Sequence, residues 1–209
     1  MATRAVITAD IVNSTKLSKS DSKKLMTLLS SILEGHKYEF YRGDSFQVFL
    51  KEPGDALLLT LQLKAAALKM PAGLASDLID IKASIGIGGV NLPLKILKTA
   101  AGEAFILSGR GFDQMKTGQR LYISCSEKND LANHGLRVLA GFVDYIFQHL
   151  TSKQAAVVFE LLQKRTQIET AKRLKKSQAT INKHTQSAGW TEIEKLLADY
   201  KIFINSIQP

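Results

Sequence analysis

Two rhythms of apolar and polar positions divide this chain. RAVITA, residues 4–9, has the character of a half-buried strand. Over residues 18–34, Leu25, Leu28, Leu29, Ile32 and Leu33 recur at helical spacing and predict an amphipathic helix. HKYEFYRGDSFQVFL, residues 36–50, predicts two short aromatic-rich strands joined through Arg42-Gly43-Asp44-Ser45, with Gly43 before Asp44 suited to a tight turn. Pro53, at a favoured first-turn position, opens a helix over 53–70. LIDIKASIGIG (78–88) alternates and predicts a strand. A helix follows over 103–116, weakened by Gly109 and Gly111, then a strand over RLYISC (120–125) and a mostly helical stretch over 127–150.

The order β-α-β-β-α-β, then α-β-α, opens as a split-βαβ unit. It predicts an α+β, ferredoxin-like domain over residues 1–148, an antiparallel sheet with helices on one face. In that plan the first strand is central, and the hairpin between the second and third strands approaches its end. Residues 149–209 predict a separate, all-α unit. Residues 152–163 are amphipathic, with Ala156, Val157, Leu161 and Leu162 inward. Thr166 with Glu169 three positions on forms a capping box for a second helix, which turns Ala171 and Leu174 inward. Lys175-Lys176 make a turn, Ser177 caps a third helix, and Ile181 packs back. The small Ala171 lets two helices cross closely, as a helix-turn-helix requires. In the tail, Ile193, Leu197, Tyr200, Ile204 and Ile207 follow 4-3-4-3 spacing, a seam for another helix. Docking within the chain and dimerisation both stay open.

Composition narrows the picture. The 209 residues are 45% hydrophobic and 22% charged, as in a well-cored soluble protein. No basic stretch leads into an apolar one at the start, and the most apolar segment, 56–70, is short and carries lysines. Neither a signal peptide nor a membrane span is expected. A single cysteine, Cys125, excludes an intrachain disulfide and a cysteine-based metal centre, and fits a cytoplasmic setting. The net charge of +9 favours polyanions. Residues 151–190 hold Lys153, Lys164, Arg165, Lys172, Arg173, Lys175, Lys176 and Lys183 against only Glu160 and Glu169. Most of the excess positive charge therefore sits on the helical C-terminal unit.

Asp10 ends the first strand and Asp44 lies on the hairpin that the fold brings beside it. Two converging carboxylates suit Mg²⁺ or Mn²⁺, with substrate phosphates completing the shell. The other reading makes Asp44 a turn residue and Asp10 a loop cap bonded to Asn13 and Ser14. IGIGG (85–89) is followed by neither GK[ST] nor an immediate helix, so it is read as a strand end needing close backbone approach. His149 and His184 lack a second ligand at helical spacing and are read as packing or surface residues.

ADIVNST (9–15), RGDSFQVF (42–49), IGIGG (85–89) and GEAFILSGR (102–110) together resemble the SatD family over residues 4–115. More distantly, "ADI..ST" and "GD.F" resemble class III nucleotidyl cyclases. That resemblance implies metal binding by Asp10, Asp44 and the Ile11 carbonyl, with Asn13, Ser14, Thr15, Gly43 and Arg110 around a nucleotide. The sequence departs from the cyclase pattern at Phe40, where a base-reading Lys or Glu stands. It departs again at Ser108 and Phe112, where an Asn and an Arg stand, Arg110 being two positions out of register. Phosphoryl transfer depends on such electrostatic stabilisation. The expectation is a pocket without turnover, the rival being a metal-dependent nucleotide-acting enzyme.

The pattern "T..Q...V..L....TQ...A..L..S..TI..H" over the C-terminal unit resembles LuxR-type and sigma-factor DNA-binding modules. That resemblance implies a helix from Gln178 in the major groove, with Gln178, Thr180, Asn182, Lys183 and Gln186 towards base edges. Ser177 begins that helix, and Arg165, Lys172, Lys175 and Lys176 suit phosphates. The expected function is a DNA-binding transcriptional regulator, able to dimerise and controlled by a nucleotide or metal. A scaffold binding neither DNA nor nucleotide is the third alternative.

Overall fold

The computed structural model describes residues 3–41, 43–71, 78–94 and 96–207, so Arg42 of the hairpin lies outside the described residues. Its strands are β1 (Thr3–Val12), β2 (Lys37–Tyr41), β3 (Ser45–Leu50), β4 (Asp80–Gly89) and β5 (Leu121–Ser124). The N-terminal helices are α1 (Lys19–Leu33), α2 (Ala56–Leu68), α3 (Glu103–Gln114) and α4 (Asp130–Gln148). The C-terminal ones are α5 (Ser152–Leu162), α6 (Gln167–Leu174), α7 (Gln178–Ser187) and α8 (Trp190–Ser206).

The sheet order is β2-β3-β1-β4-β5. β1 runs antiparallel to both β3 and β4, and β2 antiparallel to β3. β5, however, is parallel to β4, so the sheet is mixed rather than wholly antiparallel. The reason is the connection: α3 carries the chain back across the sheet, and such a helical crossover restores strand direction.

The helices also occupy both faces, where one was expected. Ala5, Ile7, Ala9 and Ile11 of β1 face a core shared with Leu25, Leu29 and Leu33 of α1 and Leu57 and Leu61 of α2. Val6 points the other way, into a second cluster with Phe49, Val90, Leu97 and Ala104 of α3. The run AVI is apolar without a gap, as strands covered on both faces are. Gly86 makes the α3 contact possible: a Cβ there would lie 2.3 Å from the Ala104 carbonyl oxygen and 2.4 Å from Ser108 N. The expectation of close backbone approach at IGIGG matches this packing.

The C-terminal helices share the same core. Ala155, Val158, Phe159 and Leu162 of α5 join the cluster that contains α2, and Gln62 donates to the Leu162 carbonyl at 2.9 Å. Because α5 is covered on two sides, its buried set is wider than expected, and half-buried Ala156 is replaced inward by Ala155 and Val158. The tail seam is met in cis. α8 lies against the 3-10 turn Pro53–Asp55, where fully buried Tyr200 donates to the Pro53 carbonyl at 3.1 Å and Lys201 pairs with Asp55 at 2.9 Å. Ile193 and Ile204 are buried beside it. One continuous core therefore crosses the expected boundary at residues 148 and 149.

Candidate functional site

The acidic strand end forms from β1 and the β2–β3 turn. β1 pairs Asp10 with Ser45, and the Ile11 amide donates to the Asp44 carbonyl at 3.2 Å. The two acids are thus held at one corner of the sheet. Ser45 Oγ donates to Asp10 Oδ1 at 2.8 Å, and Ser14 Oγ donates to Asp44 Oδ2 at 3.0 Å. Gly43 takes φ 91°, the left-handed region where glycine is favoured. Asn13 is also left-handed, at φ 59°, and its side-chain amide donates to the Leu78 carbonyl at 3.0 Å. Together Asn13 and the 3-10 turn Ser14–Lys16 fold the chain over the end of β1 and set Ser14 against Asp44, while Thr15 is exposed.

A polar row continues along the same face of the sheet. Gln47 donates to Thr8 Oγ1 at 3.1 Å, and Thr8 donates to Ser108 Oγ of α3 at 3.0 Å. Lys82, opposite Asp10 on β4, holds its ammonium 4.4 Å from the centre of the Phe112 ring. Phe40 packs with Phe46 at 5.1 Å against the core, so that position makes no polar contribution. Arg110 is not gathered into this corner: it projects from α3 and pairs with Glu127 at 3.0 Å. Among the described residues no three His, Cys, Asp or Glu side chains form a group fit for a metal ion. Asp10, Asp44 and the Ile11 carbonyl are the donors that suit a hard cation here.

Sequence reading missed a second charged group close by. Lys64 of α2 is fully buried and donates to Asp80 Oδ1 and Oδ2 at 3.0 and 3.1 Å and to the Ile81 carbonyl at 2.9 Å. Asp144 Oδ1 of α4 lies 3.9 Å away without a hydrogen bond, while its Oδ2 accepts from the Arg120 amide at 2.7 Å. Burial pushes the Asp80 carboxyl up, opposed by Lys64. Asp80 pairs with Val12, two residues beyond Asp10 on β1. The signal was a lone lysine within the apolar run of α2, followed by an acid at a strand start.

The basic C-terminal unit forms as its caps dictate. Thr166 Oγ1 accepts from the Glu169 amide at 3.2 Å, and Glu169 accepts from the Thr166 amide at 2.8 Å. Lys175 ends α6 in the left-handed conformation, φ 52°, with Lys176 N donating to the Ala171 carbonyl at 3.0 Å. Ser177 Oγ then accepts from the Thr180 amide at 3.2 Å and starts α7. Ile181, Ala171, Val157 and Leu161 form the small core of the unit, with Leu174 and Trp190 at its rim.

Gln178, Asn182, Lys183 and Gln186 of α7 are exposed, as are Lys172, Lys175, Lys176 and Ser177. Thr180 is half-buried, its hydroxyl 2.9 Å from Ser177 Oγ. Arg165, expected at phosphate, is engaged within the unit. Its guanidinium and that of Arg173 both donate to Oε2 of buried Glu160, each at 2.8 Å, bracing α6 against α5. A buried acid attracts a cationic partner because an unpaired charge there is costly. Nearby, Lys69 sits 3.4 Å from the centre of the Phe159 ring, and burial pulls its ammonium down to about 8.

No protein-family model matches this chain, and no curated protein does. Among solved structures it is similar to a bacterial light-regulated adenylyl cyclase, at 18% identity and a TM-score of 0.43. The match covers 59% of this chain and 42% of that one, so this chain spans less than half of that protein's length. Among the described residues no helix is long and apolar enough to cross a membrane.

Proposed function

We propose that this chain binds duplex DNA as a transcriptional regulator, with α5, α6 and α7 acting as a helix-turn-helix and α7 entering the major groove. The observation that carries the reading is the outer face of α7. Gln178 at the start of the helix and Asn182, Lys183 and Gln186 along it are exposed, Ile181 fixes the helix to the unit, and exposed Lys172, Lys175 and Lys176 flank it. Gln and Asn pair with adenine edges, Lys reaches guanine or phosphate, and flanking lysines set the register. The test is selection of genomic duplexes across a salt series, with a Gln178→Ala/Lys183→Ala variant alongside. The reading expects selected sites that the variant no longer distinguishes, while weak salt-sensitive binding persists. Sequence-blind binding unchanged in the variant removes it.

A second reading concerns the acidic corner. The N-terminal half is a ferredoxin-like, cyclase-related domain of the SatD type, in which Asp10, Asp44 and the Ile11 carbonyl hold Mg²⁺ or Mn²⁺ beneath a nucleotide. Its support is the strand order β2-β3-β1-β4 and the Ile11–Asp44 bond that joins the two acids. The cation would supply charge for phosphate oxygens, with Asn13, Ser14 and Gly43 as the neighbouring wall. Phe40, Ser108 and Phe112 argue for binding without turnover. Mn²⁺ binding lost in Asp10→Asn and in Asp44→Asn supports this, and nucleotide turnover by the parent chain would move the assignment to an enzyme.

A further inference from the structure

α5 ends at Leu162, and the chain turns through Lys164 and Arg165 into α6. Between that turn, α8 and the start of α2 lies a hollow of about 440 Å³. Its size falls within the ~300–1,000 Å³ usual for small-molecule sites. Buried Leu161 and Leu162 line it, together with Leu58, Trp190 and Leu197. Those last three are half-buried: each packs on the core, and part of its remaining surface is turned to the hollow. Apolar surface left bare in a concave place is what an apolar ligand group removes from water.

Two opposite charges border the same hollow. Lys164 and Glu194 are both exposed, and among the described residues neither forms an ion pair, with the other or with a third side chain. Arg165 lines the hollow too, but its guanidinium is held by buried Glu160 at 2.8 Å, which leaves Lys164 as the cation a ligand meets. Lys164 also takes the left-handed position just past the end of α5, φ 61°, where glycine is the usual residue. A lysine there carries backbone strain that a glycine does not.

We propose that this hollow binds a free amino acid with a large apolar side chain. Lys164 takes its carboxylate, Glu194 takes its ammonium, and the side chain lies among Leu58, Trp190 and Leu197. Charge decides between apolar ligands here. A fatty acid answers Lys164 but sets its own carboxylate near Glu194, an apolar amine does the reverse, and an uncharged solute answers neither. The interior of a peptide offers amides in place of both charges. A zwitterion with an apolar group matches the cation, the anion and the leucine-lined space together. The hollow shares no residue with the exposed positions of α7 or with the acidic corner, so this activity goes beyond both readings of the function.

Trp190 is the single tryptophan and lines the hollow, so it supplies the readout. The full chain is titrated with leucine, isoleucine, methionine and phenylalanine, followed by Trp190 fluorescence and by calorimetry. Saturable binding of at least one is expected, with a rise in unfolding temperature, because a ligand held only by the folded chain stabilises it. The N-acetyl and amide forms of the tightest binder, and alanine, each lack one of the three matched features and bind roughly 10-fold more weakly or worse. Lys164→Gln and Glu194→Gln weaken the binder to a similar degree, while Lys153→Gln, outside the hollow, leaves it unchanged. All three positions are exposed, and circular dichroism checks that each variant is folded. Absence of binding by all four amino acids overturns the proposal, as does equal binding of the acetylated or amidated form, or binding indifferent to both hollow variants. DNA takes no part in the measurement. A chain that selects duplex sites but binds none of the four sinks this site alone, and one that binds them but selects no duplex sinks only the DNA-binding reading.

Discussion

Lys64 carries an ammonium into a helix that holds no other charge, and its partners decide its effect. It is fully buried against Asp80 and close to Asp144, so the group holds two acids around one cation. Breaking a buried ion pair by removing one partner costs about 3–5 kcal/mol, because the remaining charge stays uncompensated. Lys64→Ala is therefore expected to lose that much in urea denaturation, whereas Lys64→Met with Asp80→Asn loses clearly less. Lys69, one helical turn and a residue further along, sets a pH dependence. The folded chain releases its proton at about 8, while the ordinary lysine value is 10.5. Between those values the unfolded chain binds more protons, so folding stability contributed by Lys69 rises with pH. Denaturation midpoints measured from pH 7 to 10.5 should show this rise in the parent and a flatter profile in Lys69→Met. Gly86→Ala places a methyl group 2.3 Å from a backbone oxygen, so it should destabilise by about 1–3 kcal/mol through overpacking.

At the scale of elements, the caps and periodicities were legible and the contacts between elements less so. The Thr166–Glu169 box, the Ser177 cap and inward Ile181 are local, and local hydrogen bonding fixed them. Ser177→Ala should therefore cost about 1 kcal/mol of stability and loosen the start of α7. Lys175, left-handed between α6 and α7, predicts the opposite sign: Lys175→Gly removes backbone strain and should stabilise by a few tenths to about 1 kcal/mol. If DNA binding falls in that variant while stability rises, Lys175 contacts phosphate. The direction of β5, the covering of both sheet faces and the engagement of Arg165 by Glu160 were not legible. Each depends on which elements meet across tens of residues, and a hydrophobic stripe records only that something covers it. The acidic corner was legible because the strand order places Asp44 at the end of β1. Lys64, Asp80 and Asp144 were not, since their meeting joins α2, β4 and α4.

At the scale of the molecule, the C-terminal helices are not an appendage. α5 packs on α2, and α8 reaches back to the Pro53 turn, so the sheet and the basic unit share one core. Elements with a shared core unfold together, since neither side can lose its cover without exposing the other. Trp190, the single tryptophan, packs where the α5–α7 cluster meets the main core and reports on that junction. Far-ultraviolet circular dichroism reports on the whole. The two signals should therefore give one urea midpoint. Tyr200→Phe sharpens the test, because it leaves the buried Pro53 carbonyl without its donor, a loss of about 1–3 kcal/mol. It should lower both midpoints by the same amount. Fluorescence that moves alone would mean that the basic helices form an independent unit and that α8 is only lightly attached. A coincident shift would mean that the sheet and the basic helices unfold as one cooperative unit, held together through α2 and the tail.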